Sequence, residues 1–297
     1  MTAIDDMADA QRLMVDTFST IGRLHQMGGA ISEDYAYAAI AGEQWATGAV
    51  GDGCSGAMAN TDLGARVMCH AFLRTVQEEA TPGEIGAGEA FAGKLHDNVL
   101  NAAFTTDAQD YIATLVGFSA TEERASLYVF GDGATAIKYR DGRIRLTTYT
   151  WVDGMPYYFI YRIEPQAIGR FHARFGDGAQ IAVRAVTTDF VADNGAIRVL
   201  WSETAELRFA DMQHGRVVHC SPIRDRIEAI AVLTDGIDKF GDQANAEVVA
   251  KLLAFAGSAP QALRRNAVAV LAEELSRGAF PRDDLSIACV AFADPRF

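Results

Sequence analysis

Acidic residues placed before glycine punctuate this sequence, at Asp52, Asp132, Asp141, Asp153, Asp177 and Asp235. The local meaning of such a pair is a tight turn, because glycine accepts positive φ and Asp-Gly suits hairpins. Asp141 fits that meaning between the polar runs IKYR and RIRL, and Asp153 and Asp177 have similarly mixed surroundings. Asp52, Asp132 and Asp235 differ. Each follows an apolar run (WATGAV, SLYVF, EAIAVLT) that reads as a buried strand ending at the acid. Asp283 and Asp284 stand directly before another such run, LSIACVAF, and Glu33 and Asp34 open the first strand. Carboxylates gathered at the ends of buried strands are costly unless cations neutralise them. No His or Cys falls at metal-ligand spacing, so the matching ions are hard and oxygen-loving, Mg2+ or Mn2+. Scattered turns and caps are the competing account.

Two side chains beside Asp52 invite a different chemistry. In GDGCSG, Cys54 and Ser55 look like nucleophiles. A phosphate-binding thiolate needs Cys-x5-Arg, and the sixth residue after Cys54 is Asn60. A nucleophile elbow, G-x-S-x-G, needs glycine where Ala57 stands. Cys69, Cys220 and Cys289 lie in apolar runs and read as core. His70, His96, His172, His214 and His219 share no spacing and read as structural or solvated.

The elements that must position the acids follow from periodicity. The chain has 297 residues, 49% of them hydrophobic and 22% charged, the composition of a globular protein with a sizeable core. Residues 8–24 read as helical or irregular. Residues 33–50 read as two strands joined by a short turn. From Asn60 or Thr61, a plausible cap, the apolar residues Leu63, Val67, Met68, Phe72, Leu73 and Val76 mark one face of a helix. Two more helices are predicted between Pro82 and Phe118, in AGEAFAGKLHDNVLNAAF and DAQDYIATLVGF. Strands dominate from Ala125 to about Val232, with PYYFIY (156–161) read as a strand over the core. NAEVVAKLLAFAG and PQALRRNAVAVLAEELSRG read as helices before the last strand. Hairpin-rich strands with segregated helices predict antiparallel sheets covered by helices, and the lack of a low-complexity linker predicts one domain over residues 1–297.

A formal charge of -13 argues against a nucleic-acid partner. An anionic substrate stays possible if bound cations reverse the local field. No apolar run approaches membrane-span length and the first residues carry acids where a signal peptide carries bases, so the expectation is a cytoplasmic protein with reduced thiols and no membrane partner.

Five segments occur in order across nearly the whole chain: SED (32–34), GDGCSG (51–56), FGDG (130–133), LTDGI (233–237) and RDDLS (282–286). In this order they resemble the metal-dependent protein phosphatase family, protein phosphatase 2C or PPM. DGCSG, NTDLGAR and GMPYYFIYRI are closest to its divergent bacterial branch. The resemblance implies an α+β fold, a four-layer αββα sandwich with a metal cluster at one end. It implies that Asp52 bridges two ions, that the Gly53 carbonyl helps hold one, and that Glu33 and Asp34 hold the first through oxygen or water. Asp235 and Asp283 complete the other site, and Asp132 matches a third, weaker one. A water bridging two Mg2+ or Mn2+ ions would then attack phosphorus in line, acting on a phosphoserine or phosphothreonine protein or on a small phosphoester.

Four positions depart from the family pattern. Gly29 stands where many relatives carry a phosphate-gripping Arg, which makes His25 a substitute phosphate contact. Cys54 replaces a general-acid His. Lys239 replaces an acid of the third-metal site, for which Asp238 is the nearest stand-in. Asp284 replaces an Asn. These departures keep open a second class, an inactive pseudophosphatase that binds a phosphopeptide or partner.

Overall fold

The computed structural model describes residues 13–41, 44–54, 62–79, 81–102, 111–176, 181–193, 196–239, 245–255 and 261–293. Its strands form two antiparallel sheets. The wider one runs β1 (Leu13–Thr20), β12 (Leu285–Phe292), β11 (Ile227–Leu233), β6 (Gly133–Tyr139), β7 (Arg143–Trp151), β8 (Ile181–Asp193) and β9 (Ala196–Arg208). The narrower one runs β10 (Arg216–Cys220), β5 (Ala125–Phe130), β4 (Leu115–Ala120), β3 (Trp45–Gly51) and β2 (Tyr35–Ala41).

Helices cover the outer faces. α2 (Asp62–Gln77) and α3 (Glu89–Ala102) lie on the narrow sheet, and α2 buries Val67, Met68, Phe72 and Val76, the stripe expected of it. α6 (Asn245–Leu252) and α7 (Ala262–Ser276) cover the wide sheet, where Val248, Val249, Leu252, Leu263 and Ala267 pack on residues of β11 and β12. Short helices α1 (Arg23–Gly28), α4 (Pro165–Phe175) and α5 (Phe209–Met212) occupy the connections. The result is the expected αββα sandwich. No described helix is long and apolar enough to cross a membrane.

Three readings of local structure change. Residues 13–20 are a strand, because residues 285–292 supply a full ladder from Leu13 with Phe292 to Thr20 with Leu285. The run IATLVGF, read as helix, ends in β4, whose six residues are all buried. A strand covered on both faces shows a continuous apolar run with no period to betray it. PYYFIY is not a strand: Phe159–Arg162 is a 3-10 turn. Its Tyr157 ring packs 4.8 Å from Phe209, 5.1 Å from Phe171 and 5.8 Å from Phe130. The Asp141 hairpin forms as expected between β6 and β7, and Asp153 falls in a 3-10 turn, Val152–Gly154. Ser55, Gly56, Asn60, Thr61 and Asp177 lie outside the described residues.

Candidate metal centre

Antiparallel pairing carries the acids to one end of the sandwich. Tyr35 opposes Gly51, so Asp34 at the start of β2 and Asp52 at the end of β3 flank the same rung. Leu115 opposes Phe130, which brings the turn holding Asp132 to that end. Leu233 opposes Ile287, which sets Asp235, the first residue of the 3-10 turn Asp235–Lys239, beside the segment with Asp283 and Asp284. Backbone bonds tie the strand ends together: Gly53 N–H donates to the Glu33 carbonyl (3.2 Å), and Thr114 N–H to that of Asp52 (2.9 Å). Thr234 stitches one sheet to the other. Its hydroxyl donates to Asp34 Oδ2 (2.7 Å) and accepts the Ser286 N–H (2.9 Å).

Asp284 has a specific place in this frame. It is 2% exposed, and its two oxygens accept different backbone amides, Oδ1 that of Gly22 and Oδ2 that of Glu33, each at 2.5 Å. An asparagine could accept only one of these and would turn an N–H2 toward the other donor. The extra acid of the RDD segment is thus required by two amides 251 and 262 residues away. The glycine of the Asp235-Gly236 pair also has a reason other than a turn. A Cβ on Gly236 would lie 1.9 Å from the Asp284 carbonyl oxygen. Only glycine lets the two acid-bearing segments approach this closely.

His25 stands among the acids, with Nδ1 3.0 Å from Asp284 Oδ2 and Nε2 3.9 Å from Glu33 and 4.0 Å from Asp283. Burial works against its charge, but the Asp284 carboxylate beside Nδ1 and the charges of Glu33 and Asp283 outweigh it and raise its pKa. One ligand atom each from His25, Asp283 and Asp284 lie within 4.8 Å of one another, a spacing that could hold a metal ion.

Burial raises the pKa of Asp34 well above its ordinary range; the Thr234 hydrogen bond offsets part of this, and Asp284 and Asp235 add to it. Asp52 is raised by burial and then by Asp34, Asp235, Asp132 and Asp283. The acids predicted from sequence are therefore close enough to repel. Asp34 Oδ1 is buried without a hydrogen-bond donor among the described residues, and the Asp52 carboxylate lies against the same acid. Facing carboxylates accommodate a shared proton or a cation, and all-oxygen donors suit Mg2+ or Mn2+. The residues fit the ions.

A pH dependence follows. The folded protein retains protons on Asp34 and Asp52 at pH values where the unfolded chain, with Asp near 3.8, has released them. Stability without metal therefore falls as pH rises through that window, and the raised His25 acts in the same direction. In EDTA, Tm should be higher near pH 5.5 than near pH 8. Saturating Mn2+ should raise Tm more at pH 8, with about 2.7 kcal/mol available at a hundred times Kd. Differential scanning calorimetry checks this; a metal response independent of pH would contradict it.

Sequence reasoning missed Tyr158. Burial first, then the neighbouring Cys54, Asp132 and Asp52, push the pKa of its hydroxyl far up. The aromatic run thus reaches the acids, a contact visible only once the 3-10 turn replaces the expected strand. Asp238 is exposed and accepts a hydrogen bond from Asn245 Nδ2.

Residues 21–157 match the family model described as protein phosphatase 2C. Among solved structures, a bacterial serine phosphatase is 12% identical, with 95% of this chain and 99% of that one covered and a TM-score of 0.56. A form bearing an arginine-to-lysine substitution is 13% identical with the same coverage and a TM-score of 0.52. The Mycobacterium tuberculosis serine/threonine phosphatase PstP is 17% identical, again with 95% and 99% covered, at a TM-score of 0.48. No curated protein matches the chain. At these identities the first two likenesses show a shared fold.

Proposed function

We propose, from the match of residues 21–157 to the protein phosphatase 2C model, that the acidic end of this chain hydrolyses phosphate monoesters with two bound Mg2+ or Mn2+ ions. The observation that carries the reading is the convergence of Asp34, Asp52, Asp132, Asp235 and Asp283 on one another, with Glu33 alongside. The substrate is a phosphoserine or phosphothreonine protein.

Asp52, central among the acids, would be a ligand to both ions. Glu33, Asp34 and the Gly53 carbonyl would hold one of them, Asp235 and Asp283 the other, and Asp132 a third, weaker one. Asp284, held by two backbone amides, fixes Glu33 and the approach of α1. His25, its pKa raised by its acidic neighbours, presents a ring nitrogen among them, near where many relatives carry an arginine. The Tyr158 hydroxyl lies near Cys54 and Asp52. The chemistry that such ions supply when bound is activation of water and neutralisation of the phosphoryl oxygens. The side chains supply their charge balance and spacing.

The test is hydrolysis of p-nitrophenyl phosphate and of a phosphothreonine peptide in Mn2+, Mg2+ or EDTA. Turnover that requires Mn2+ or Mg2+ and stops in EDTA is expected. Turnover in EDTA would remove the two-ion reading, and bound ions without turnover would make the protein a binding module.

A further inference from the structure

The wide sheet has seven strands and the narrow one five, of which β10 is an edge strand. There a cavity of about 410 Å3 opens between β6 and β7 on one wall and β5 and β10 on the other. Its volume is that of a small-molecule site. In a closed sandwich the inward positions of β7 would be apolar. Here they read Arg143, Arg145, Thr147 and Tyr149, all of which line the cavity.

The arginines are anchored but not used up. Arg145 donates to both oxygens of the buried Asp189, through Nε (2.7 Å) and Nη2 (2.8 Å), and Arg143 donates once through Nη1 (3.0 Å). The Arg143 guanidinium also lies 3.8 Å from the centre of the Tyr139 ring. Each guanidinium carries five N–H groups, so most of the donors on the pair have no acceptor among the described residues. Two cations against one carboxylate leave a unit of positive charge in a protein whose formal charge is -13. Asp225, also on the lining, is engaged by Arg224 (3.0 Å) and the Ser221 N–H (2.9 Å). Beside and across from the arginines the lining is apolar: Ile137 is the ladder partner of Arg145, and Leu127 and Val218 pair with each other on the opposite wall. Cationic donors set beside aliphatic side chains match an amphiphile.

We propose that this cavity is a second binding site, separate from the acidic end, for a small organic anion: a carboxylate head held by Arg143 and Arg145, with an apolar body against Leu127, Ile137 and Val218. The site does not depend on the phosphatase reading.

Octanoate, 1-octanol and octylammonium serve as probes, titrated by calorimetry into the metal-free protein in EDTA. Octanoate should bind one to one, and the neutral and cationic chains at least tenfold more weakly. Arg145→Gln should weaken octanoate at least tenfold. Because that change disturbs the Asp189 pairing, Val218→Phe, which adds bulk on the apolar wall and leaves the arginines intact, should weaken it as much. Cys220 lines the cavity and reports location: octanoate should slow its alkylation by iodoacetamide, followed by peptide mass spectrometry, at least threefold without protecting Cys54. Equal binding of octanol, no binding of octanoate, or unchanged Cys220 alkylation under saturating octanoate would overturn the proposal. None of these outcomes bears on hydrolysis at the acidic end.

Discussion

Asp52→Asn is expected to lower kcat/KM for p-nitrophenyl phosphate by on the order of a thousandfold and, in EDTA at pH 8, to raise Tm. The two effects have one cause. Asp52 is pressed by Asp34, Asp235, Asp132 and Asp283, and burial compounds their repulsion. That cluster is unfavourable without cations and attractive to them. The amide keeps the volume and an acceptor oxygen but removes a charge, so the metal-free fold relaxes while the proposed ions would lose a carboxylate ligand. Asp52→Ala should show the same loss of activity with less gain in stability, because it opens a space beside the acids. Steady-state kinetics and calorimetry on the same preparations decide it. Activity retained within tenfold would take Asp52 out of the proposed role, and a fall in metal-free Tm would mean that its carboxylate is structural.

Asp284→Ala should have the largest effect on folding. It leaves the Gly22 and Glu33 amides without the acceptor they meet at 2.5 Å and His25 without its nearest carboxylate. Each buried group left unsatisfied costs about 1–3 kcal/mol, so a loss of roughly 3–5 kcal/mol and a Tm about 10 °C lower are expected. Asp284→Asn should fall between, since one amide keeps an acceptor. Because Asp284 fixes the backbone of Glu33, both variants should also bind Mn2+ more weakly. Denaturant titration with a parallel metal titration separates the effects. A stable Asp284→Ala protein would show that the two amides find other acceptors.

The acids were legible because each stands directly beside an apolar run, and a buried strand ends where its hydrophobic run ends. The ends of β3, β11 and β5 and the starts of β2 and β12 are thus marked in the sequence. Antiparallel pairing then does the gathering. What was not legible depends on distant partners. Residues 13–20 carry no clean alternation, and their strand is dictated by β12. The place of Asp284 depends on Gly22 and Glu33. The six residues of β4 are buried on both faces, so nothing in their pattern separates strand from helix. Tyr158 looked like core because its neighbours are: Tyr157 and Phe159 are buried, while the residue between them turns toward Cys54. A single sequence displays periodicity, not the direction in which one ring of an aromatic run points.

The ladder between β1 and β12 has a consequence for the order of biosynthesis. A ribosome delivers β1 more than 250 residues ahead of β12, and Leu13 cannot meet Phe292 until both have emerged. β12 is also the neighbour of β11, so the wide sheet stays open between β1 and β11, with two strand edges bare, until β12 emerges. Such late, non-local closure is slow and leaves hydrophobic strands exposed in the nascent chain. It also acts as a safeguard. Asp283 and Asp284 emerge immediately ahead of β12, so a chain interrupted before them has neither the acids nor the two amide bonds that seat Gly22 and Glu33. A prematurely terminated product is therefore incapable of assembling the acidic end.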